Sequence, residues 1–264
     1  MRWVRYRLNN LDNYGIMSDE GIQEVCGSPF DSYEATGIIK SPHSVDILIP
    51  VVPRTFYAAG INYEEHVREA AILLGIQPSF PGKPDIGYRA NNALIANDAS
   101  IIIPHDATEK VHYEGELVVV IGKKAKNLSE DDALSCVLGY TIGNDVSERN
   151  WQASDRTMWR SKNTDTFKPM GPWIETEANI DDMVTKIHLN GEIVNEFVTK
   201  NMIFGVAKYI STMTRYLTLY PGDVIWMGTD GASEDLQDGD LVEIEITGIG
   251  TLRNSVTKER HQAT

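Results

Sequence analysis

The chain has 264 residues, 42% of them hydrophobic and 23% charged, which suits one large globular domain or a large domain with a small appendage and argues against disorder. Its formal net charge of −14 opposes phosphate backbones and anionic membrane surfaces, so neither nucleic acid nor a membrane is an expected partner. A small anionic substrate stays open, because local cations or a metal can reverse the field inside a pocket. Cys26 and Cys136 lack metal-ligand spacing and read as ordinary buried thiols of a reducing compartment. No signal-peptide pattern follows Met1, and no apolar run approaches the ~18 residues needed to span a bilayer, so a soluble cytoplasmic protein is expected.

In chain order, Trp3 to Leu8, Tyr14 to Met17 and Ile22 to Cys26 read as short strands separated by turns. The β-branched run Val45 to Val52 ends at Pro53, which sets a boundary between a small β-rich N-terminal unit, 1–52, and a larger unit, 53–264. Tyr63 to Leu73 reads as a helix. Gly75, Pro78, Pro81, Gly82 and Pro84 then mark a loop or lid. Ala93 to Ala96, Ile101 to Pro104 and Glu116 to Ile121 read as strands, the last one buried. Ser129 and Asp132 suggest a capping box before a short helix ending near Leu138. Asn190-Gly191 joins Lys186–Leu189 to Glu192–Phe197 as a hairpin. Ile203, Ala207, Ile210, Met213 and Leu217 recur at helical spacing, predicting an amphipathic helix over Met202 to Leu217. Val224 to Met227, Leu241 to Ile246 and Thr251 to Val256 close the chain as strands. With no βαβ rhythm, the pattern predicts an α+β, predominantly β fold of antiparallel or mixed strands.

Several residue groups carry chemistry, each with a plainer alternative. Glu114 and Glu116 lie two apart at the head of a strand and so share a face; like charges half-buried there favour a hard cation such as Mg²⁺, Mn²⁺ or Ca²⁺, although Glu-x-Glu also suits a solvated strand end. Asp145 follows the strand-like Tyr140-Thr141-Ile142 and reads either as a third ligand or as a turn cap. His66 and Glu69 share a helix face at i, i+3, as a general base and its orienting carboxylate would, or as a plain surface pair. Lys162 reads as a cation for a carboxylate or an enolate, or as a solvated lysine. Gly228-Thr229 presents backbone N–H groups to an anionic oxygen, or is a simple turn.

Taken in order, these groups resemble the fumarylacetoacetate hydrolase family. The resemblance rests on Gly60-Ile61-Asn62-Tyr63-x-x-His66-x-x-Glu69, His112-Tyr113-Glu114-x-Glu116-Leu117, Gly139-Tyr140-Thr141-x-x-Asn144-Asp145-Val146-Ser147-x-Arg149, Lys162, Gly171-Pro172-Trp173 and Pro221-Gly222-Asp223-Val224-Ile225-x-x-Gly228-Thr229, spanning about residues 54 to 256. It implies a mixed β-sandwich roll, usually a homodimer. It implies Mg²⁺ or Mn²⁺ (Ca²⁺ as a stand-in in crystals) on Glu114, Glu116 and Asp145, with Lys162 beside the metal. It further implies a lid dyad of His66 and Glu69 that activates water, and a pocket lined by Arg89, Arg149, Gln152 and Thr229. The substrate implied is a small 2-oxo acid, and the N-terminal unit looks like that of members near bacterial aromatic-degradation isomerases and decarboxylases. Three activities fit: hydrolysis of a C–C bond in a 2,4-dioxo acid, isomerisation or decarboxylation of an unsaturated dicarboxylate or of oxaloacetate, and non-catalytic binding on the same scaffold. The chain departs from the family pattern where Arg89 replaces a lysine, where Glu148 and Asn150 flank Arg149, and in Gly228-Thr229-Asp230-Gly231-Ala232-Ser233.

Overall fold

A computed structural model describes residues 1–231 and 234–260. Strands β1 (Arg2–Leu8), β2 (Leu11–Ser18), β3 (Gly21–Gly27), β4 (Tyr33–Lys40) and β5 (Asp46–Leu48) form the N-terminal part. Then come β6 (Phe56–Ala59), α1 (Glu64–Leu74), β7 (Ile86–Tyr88), β8 (Leu94–Ile95), β9 (Ile101–Ile103), β10 (Val111–His112) and β11 (Gly115–Ile121). The middle is β12 (Val137–Asn144), β13 (Ser147–Glu148), α2 (Arg149–Ser154), α3 (Trp159–Asn163) and β14 (Lys168–Glu175). The chain closes with β15 (Val184–Leu189), β16 (Glu192–Val198), α4 (Val206–Tyr216), β17 (Val224–Trp226), β18 (Leu241–Ile246) and β19 (Gly250–Lys258).

The strands build a long mixed sheet in the order β4-β3-β2-β1-β14-β12-β11-β17-β6-β7, with β5 on β1 and β8 on β14, and a second sheet in the order β16-β15-β18-β19-β9. Most pairings are antiparallel; β17 with β6, β8 with β14 and β9 with β19 are parallel. The N-terminal strands continue the long sheet through Arg2↔Glu175 and Trp3↔Ile174. The predominantly β, multi-sheet architecture expected from the sequence is present.

Strand β11 shows why two sheets must cover it. All seven of its residues are buried. Leu117, Val119 and Ile121 join Ile187, Val242, Ile244 and Leu252 in the core between the sheets, whereas Val118 and Val120 pack on the opposite face with Phe56, Met170, Ile174 and Trp226. That alternation is the period-two pattern of a strand apolar on both sides. In α4, Val206, Tyr209, Ile210 and Met213 are buried at three- and four-residue spacing, as an amphipathic helix requires. Helix α1 ends at Gly75, whose left-handed φ of 64° suits glycine at a helix C-terminus.

Some expectations shift. The Ser129–Asp132 hydrogen bonds form, but the helix after them is a single 3-10 turn, Ala133–Cys136, and Leu138 lies in β12. Only Asp46–Leu48 of the run Val45 to Val52 pairs as a strand, because Pro50 and Pro53 punctuate its end. The amphipathic helix begins at Val206 rather than Met202. Cys136 is buried, but Cys26 is exposed near the end of β3. Ala232 and Ser233, part of the turn after Thr229, lie outside the described residues. Among the described residues, no helix is long and apolar enough to cross a membrane.

Candidate metal centre

The β11–β12 pairing brings the three acids together. Its register sets Gly115 opposite Asn144 and Glu116 opposite Gly143. Glu114 immediately precedes β11 and Asp145 immediately follows β12, so both stand at the same end of the strand pair. Two hydrogen bonds lock that end: the Asp145 N–H donates to the Glu114 carbonyl at 2.9 Å, and the Glu114 N–H donates to Asn144 Oδ1 at 2.9 Å. All three carboxylates are buried and offer ligand oxygens within 4.8 Å of one another. The solvated-strand-end and turn-cap readings therefore fail for these residues.

The cations around them are unevenly shared. Glu114 meets Lys162 Nζ at 2.5 Å and Arg149 Nη2 at 2.6 Å. Asp145 meets Lys168 Nζ at 2.6 Å, Arg89 Nη2 at 2.8 Å and Lys162 Nζ at 3.2 Å. Glu116 accepts the Gly228 N–H at 2.8 Å, and among the described residues it makes no ion pair. Burial raises all three carboxyls. Against it, Lys162 and Arg149 bring Glu114 down to about 2, and Arg89, Lys162 and Lys168 hold Asp145 well below the usual carboxylate range. For Glu116, Asp145 and Glu114 act with burial and push it up to about 8. An all-oxygen anionic donor set with one carboxyl lacking a positive partner fits a hard divalent cation.

The acids face a cavity of about 300 Å³, also lined by Asn62, His66, Arg89, Gln152, Lys162 and Thr229. His66 Nδ1 and Thr229 Oγ1 are buried without partners among the described residues. Burial is the main reason the His66 imidazole is pushed below its ordinary value, so the neutral ring is favoured. Asn62 positions the loop after β17: its Nδ2 donates to the Met227 carbonyl at 2.9 Å and to the Phe204 carbonyl at 3.1 Å. Gly228 there has a φ of 86°, a conformation suited to glycine.

Two expected residues sit elsewhere. Glu69 is exposed and lies against Gly231, and among the described residues no hydrogen bond joins it to His66. Arg149 does not line the cavity. Besides Glu114, it donates from Nη1 to Gln152 Oε1 at 2.8 Å and from Nε to His112 Nδ1 at 3.1 Å. Since a guanidinium only donates, His112 carries its proton on Nε2, which donates to Asp235 Oδ1 at 2.8 Å. Lys110 Nζ meets the other Asp235 oxygen at 2.7 Å. Asp235 and His112 thus hold Arg149 on Glu114.

Sequence reasoning missed that relay and also Lys168, a fully buried lysine whose burial, only partly offset by Asp145, lowers it to about 8. The signal for Lys168 was a lone charge in the stretch Phe167 to Trp173. No periodic pattern marked Asp235, which is 123 residues from His112.

A family model described as "Fumarylacetoacetate (FAA) hydrolase C-terminal" matches residues 55–257, and one described as "Rv2993c-like, N-terminal" matches residues 1–50. The chain is 38% identical over 285 residues to a 2,4-didehydro-3-deoxy-L-rhamnonate hydrolase of Sphingomonas sp. (strain SKA58), covering 99% of this chain and 98% of that one. It is 34% identical over 224 residues to the mitochondrial oxaloacetate tautomerase Fahd2a of Rattus norvegicus, covering 80% and 69%. Among solved structures, a 5-carboxymethyl-2-hydroxymuconate delta-isomerase from Mycobacterium smegmatis superposes with a TM-score of 0.88 at 33% identity, covering 98% of this chain and 100% of that one.

Proposed function

The chain belongs to the fumarylacetoacetate hydrolase family, whose members are enzymes, and on that premise we propose that it is a Mg²⁺- or Mn²⁺-dependent hydrolase cleaving a C–C bond in a small 2,4-dioxo acid. The observation that carries this reading is one cavity holding three buried carboxylates, a lysine shared between two of them, and a histidine with a free buried nitrogen. The Sphingomonas protein, similar along nearly the whole of both chains, carries a name that describes a 2,4-didehydro-3-deoxy acid, which supports the substrate class.

Glu114, Glu116 and Asp145 would hold the ion. When bound, it supplies a Lewis acid that polarises the 2-oxo group. Lys162, fixed by Glu114 and Asp145, presents a cation for the substrate carboxylate or for the enolate oxygen that develops as the bond breaks. Neutral His66 accepts a proton from water, and the resulting hydroxide adds to the 4-oxo carbon. The C3–C4 bond then breaks, its electron pair passes into the enolate of the departing 2-oxo acid, and a proton returns to C3. Glu69, one turn along α1, shares a helix face with His66, and the role assigned to it is to orient the imidazole. Arg89, Gln152 and Thr229 line the space for the substrate, and Arg149 acts through Glu114 and Gln152.

The likeness to the mycobacterial isomerase favours a second reading, in which His66 moves a proton at C3 and no water attacks. A turnover screen of 2,4-dioxo acids, oxaloacetate and unsaturated dicarboxylates with Mg²⁺ or Mn²⁺ in ¹⁸O-water separates them. Metal-dependent cleavage with ¹⁸O in the new carboxylate, lost in Glu116→Gln, is the expected result. Turnover that only exchanges solvent deuterium at C3 assigns the second reading.

A further inference from the structure

Three cations, Arg89, Lys162 and Lys168, contact the Asp145 carboxylate. Arg89 reaches Asp145 Oδ2 from Nη2 at 2.8 Å and from Nε at 3.2 Å, and Lys162 reaches the same oxygen at 3.2 Å. Lys168 adds a third cation on Oδ1 at 2.6 Å. Its other two donors are taken by the Val146 and Phe167 carbonyls, each at 2.9 Å. Lys168 has no solvent exposure and does not line the cavity, so it touches no substrate there and has no path to swing away. As the first residue of β14 it pairs with Leu94 of β8, two residues before the β12–β14 ladder begins at Met170.

With all three acids ionised, as a bound ion requires, the four cations in contact with them, Arg89, Arg149, Lys162 and Lys168, outnumber Glu114, Glu116 and Asp145 by one. A divalent ion raises that excess to three, and a dianion, carboxylate plus enolate, returns it to one. In a buried site such an excess is poorly screened. We propose that Lys168 is a positioning residue that weakens divalent-ion binding to the free protein and thereby couples tight metal binding to the arrival of an anionic oxo acid. The inference rests on the metal centre proposed above. Because the coupling is between two binding events, it is reciprocal: the anion tightens the ion, and the ion tightens the anion.

The test is calorimetric titration of Mn²⁺ into the whole chain, with and without oxalate as the dianionic probe, for wild type, Lys168→Met, Lys168→Gln and Lys168→Arg. Without oxalate, Lys168→Met and Lys168→Gln should bind Mn²⁺ at least about tenfold more tightly than wild type. Lys168→Arg, which keeps the charge, should stay with wild type. The strengthening of Mn²⁺ binding by oxalate should shrink in the two uncharged variants. Mn²⁺ affinity unchanged or weakened in both would overturn the proposal and leave Lys168 a structural peg for Asp145. Failure of both to fold while Lys168→Arg folds would overturn it equally. If wild type takes up no more Mn²⁺ than Glu116→Gln, the metal-centre reading falls first and this inference with it.

Discussion

Among the described residues Glu116, unlike its two neighbours, has no cation of its own, and that asymmetry sets a measurable proton balance. Burial together with Asp145 and Glu114 pushes its carboxyl up to about 8, while Glu114 lies at about 2. Near pH 7 the metal-free protein therefore holds a proton on Glu116, and the ion must displace it. Below pH 8 that proton competes with the ion, so affinity falls as the pH drops. Calorimetry of Mg²⁺ binding at pH 7 in two buffers of different ionisation enthalpy should report close to one proton released per ion, and at pH 9 almost none. No release at pH 7 would contradict the assigned role. His66 makes a second prediction. Its imidazole is depressed, chiefly by burial, so the neutral base persists to lower pH than an ordinary histidine allows. The acid limb of kcat/KM should fall below pH 6.5. His66→Ala should lower kcat by at least about 10²-fold and leave Mg²⁺ affinity unchanged. A limb centred above 6.5, or an undiminished kcat, would place the base elsewhere.

At the scale of elements, the β11–β12 pair is the part that geometry least tolerates changing. Gly143 lies opposite Glu116, and a Cβ there would stand 2.6 to 2.8 Å from the fully buried Trp226 ring. Gly143→Ala should therefore destabilise the protein by about 1–3 kcal/mol and weaken Mg²⁺ binding, because the strand that gives way is the one that sets Asp145 beside Glu114. Urea unfolding and a metal titration on the same sample check both halves; an unchanged midpoint would mean the ring moves freely. This pair also shows what the sequence made legible. The apolar run after Glu116 predicts a strand buried on both faces, but leaves the two carboxylates at its head either half-buried around a cation or solvated; the structure buries them. The hairpin at Asn190-Gly191 and the helix through Ile210 were readable for the same reason, a strong local period. Strand β14 was not, because Pro169, Gly171 and Pro172 interrupt its pattern, and with it went Lys168 as its first residue. Strand β4 was hidden differently: all but its last residue are exposed, so no apolar alternation marks it. The Asp235–His112–Arg149 relay depends on contacts over more than thirty residues of chain, which no local pattern encodes.

Over the whole molecule, the question is whether residues 1–52 form a unit that can be removed. They pair with the rest through the outer end of β14, and they place Trp3 and Val25 in the same core cluster as Phe56, Met170, Ile174 and Trp226. Trp3 is only 3% exposed. A chain starting at residue 53 would leave the outer edge of β14 unpaired and that apolar cluster half uncovered, which invites edge-to-edge association. Trp3→Ala in the full chain samples the same interface at one position and should cost about 3–5 kcal/mol. The shortened chain should lose more than that single variant and aggregate on heating. Metal binding should respond differently. Glu114, Glu116, Asp145 and every cation that touches them lie beyond residue 53, and Lys168 is at the end of β14 remote from Ile174 and Glu175. Any folded fraction of the shortened chain should therefore still bind Mn²⁺ with near-normal affinity at low temperature. Unfolding followed by circular dichroism, beside a Mn²⁺ titration at 4 °C, separates the two effects. If the shortened chain melts with the full one, the N-terminal strands are an independent appendage. If it loses Mn²⁺ while still folded, the long sheet transmits its N-terminal edge as far as the acids.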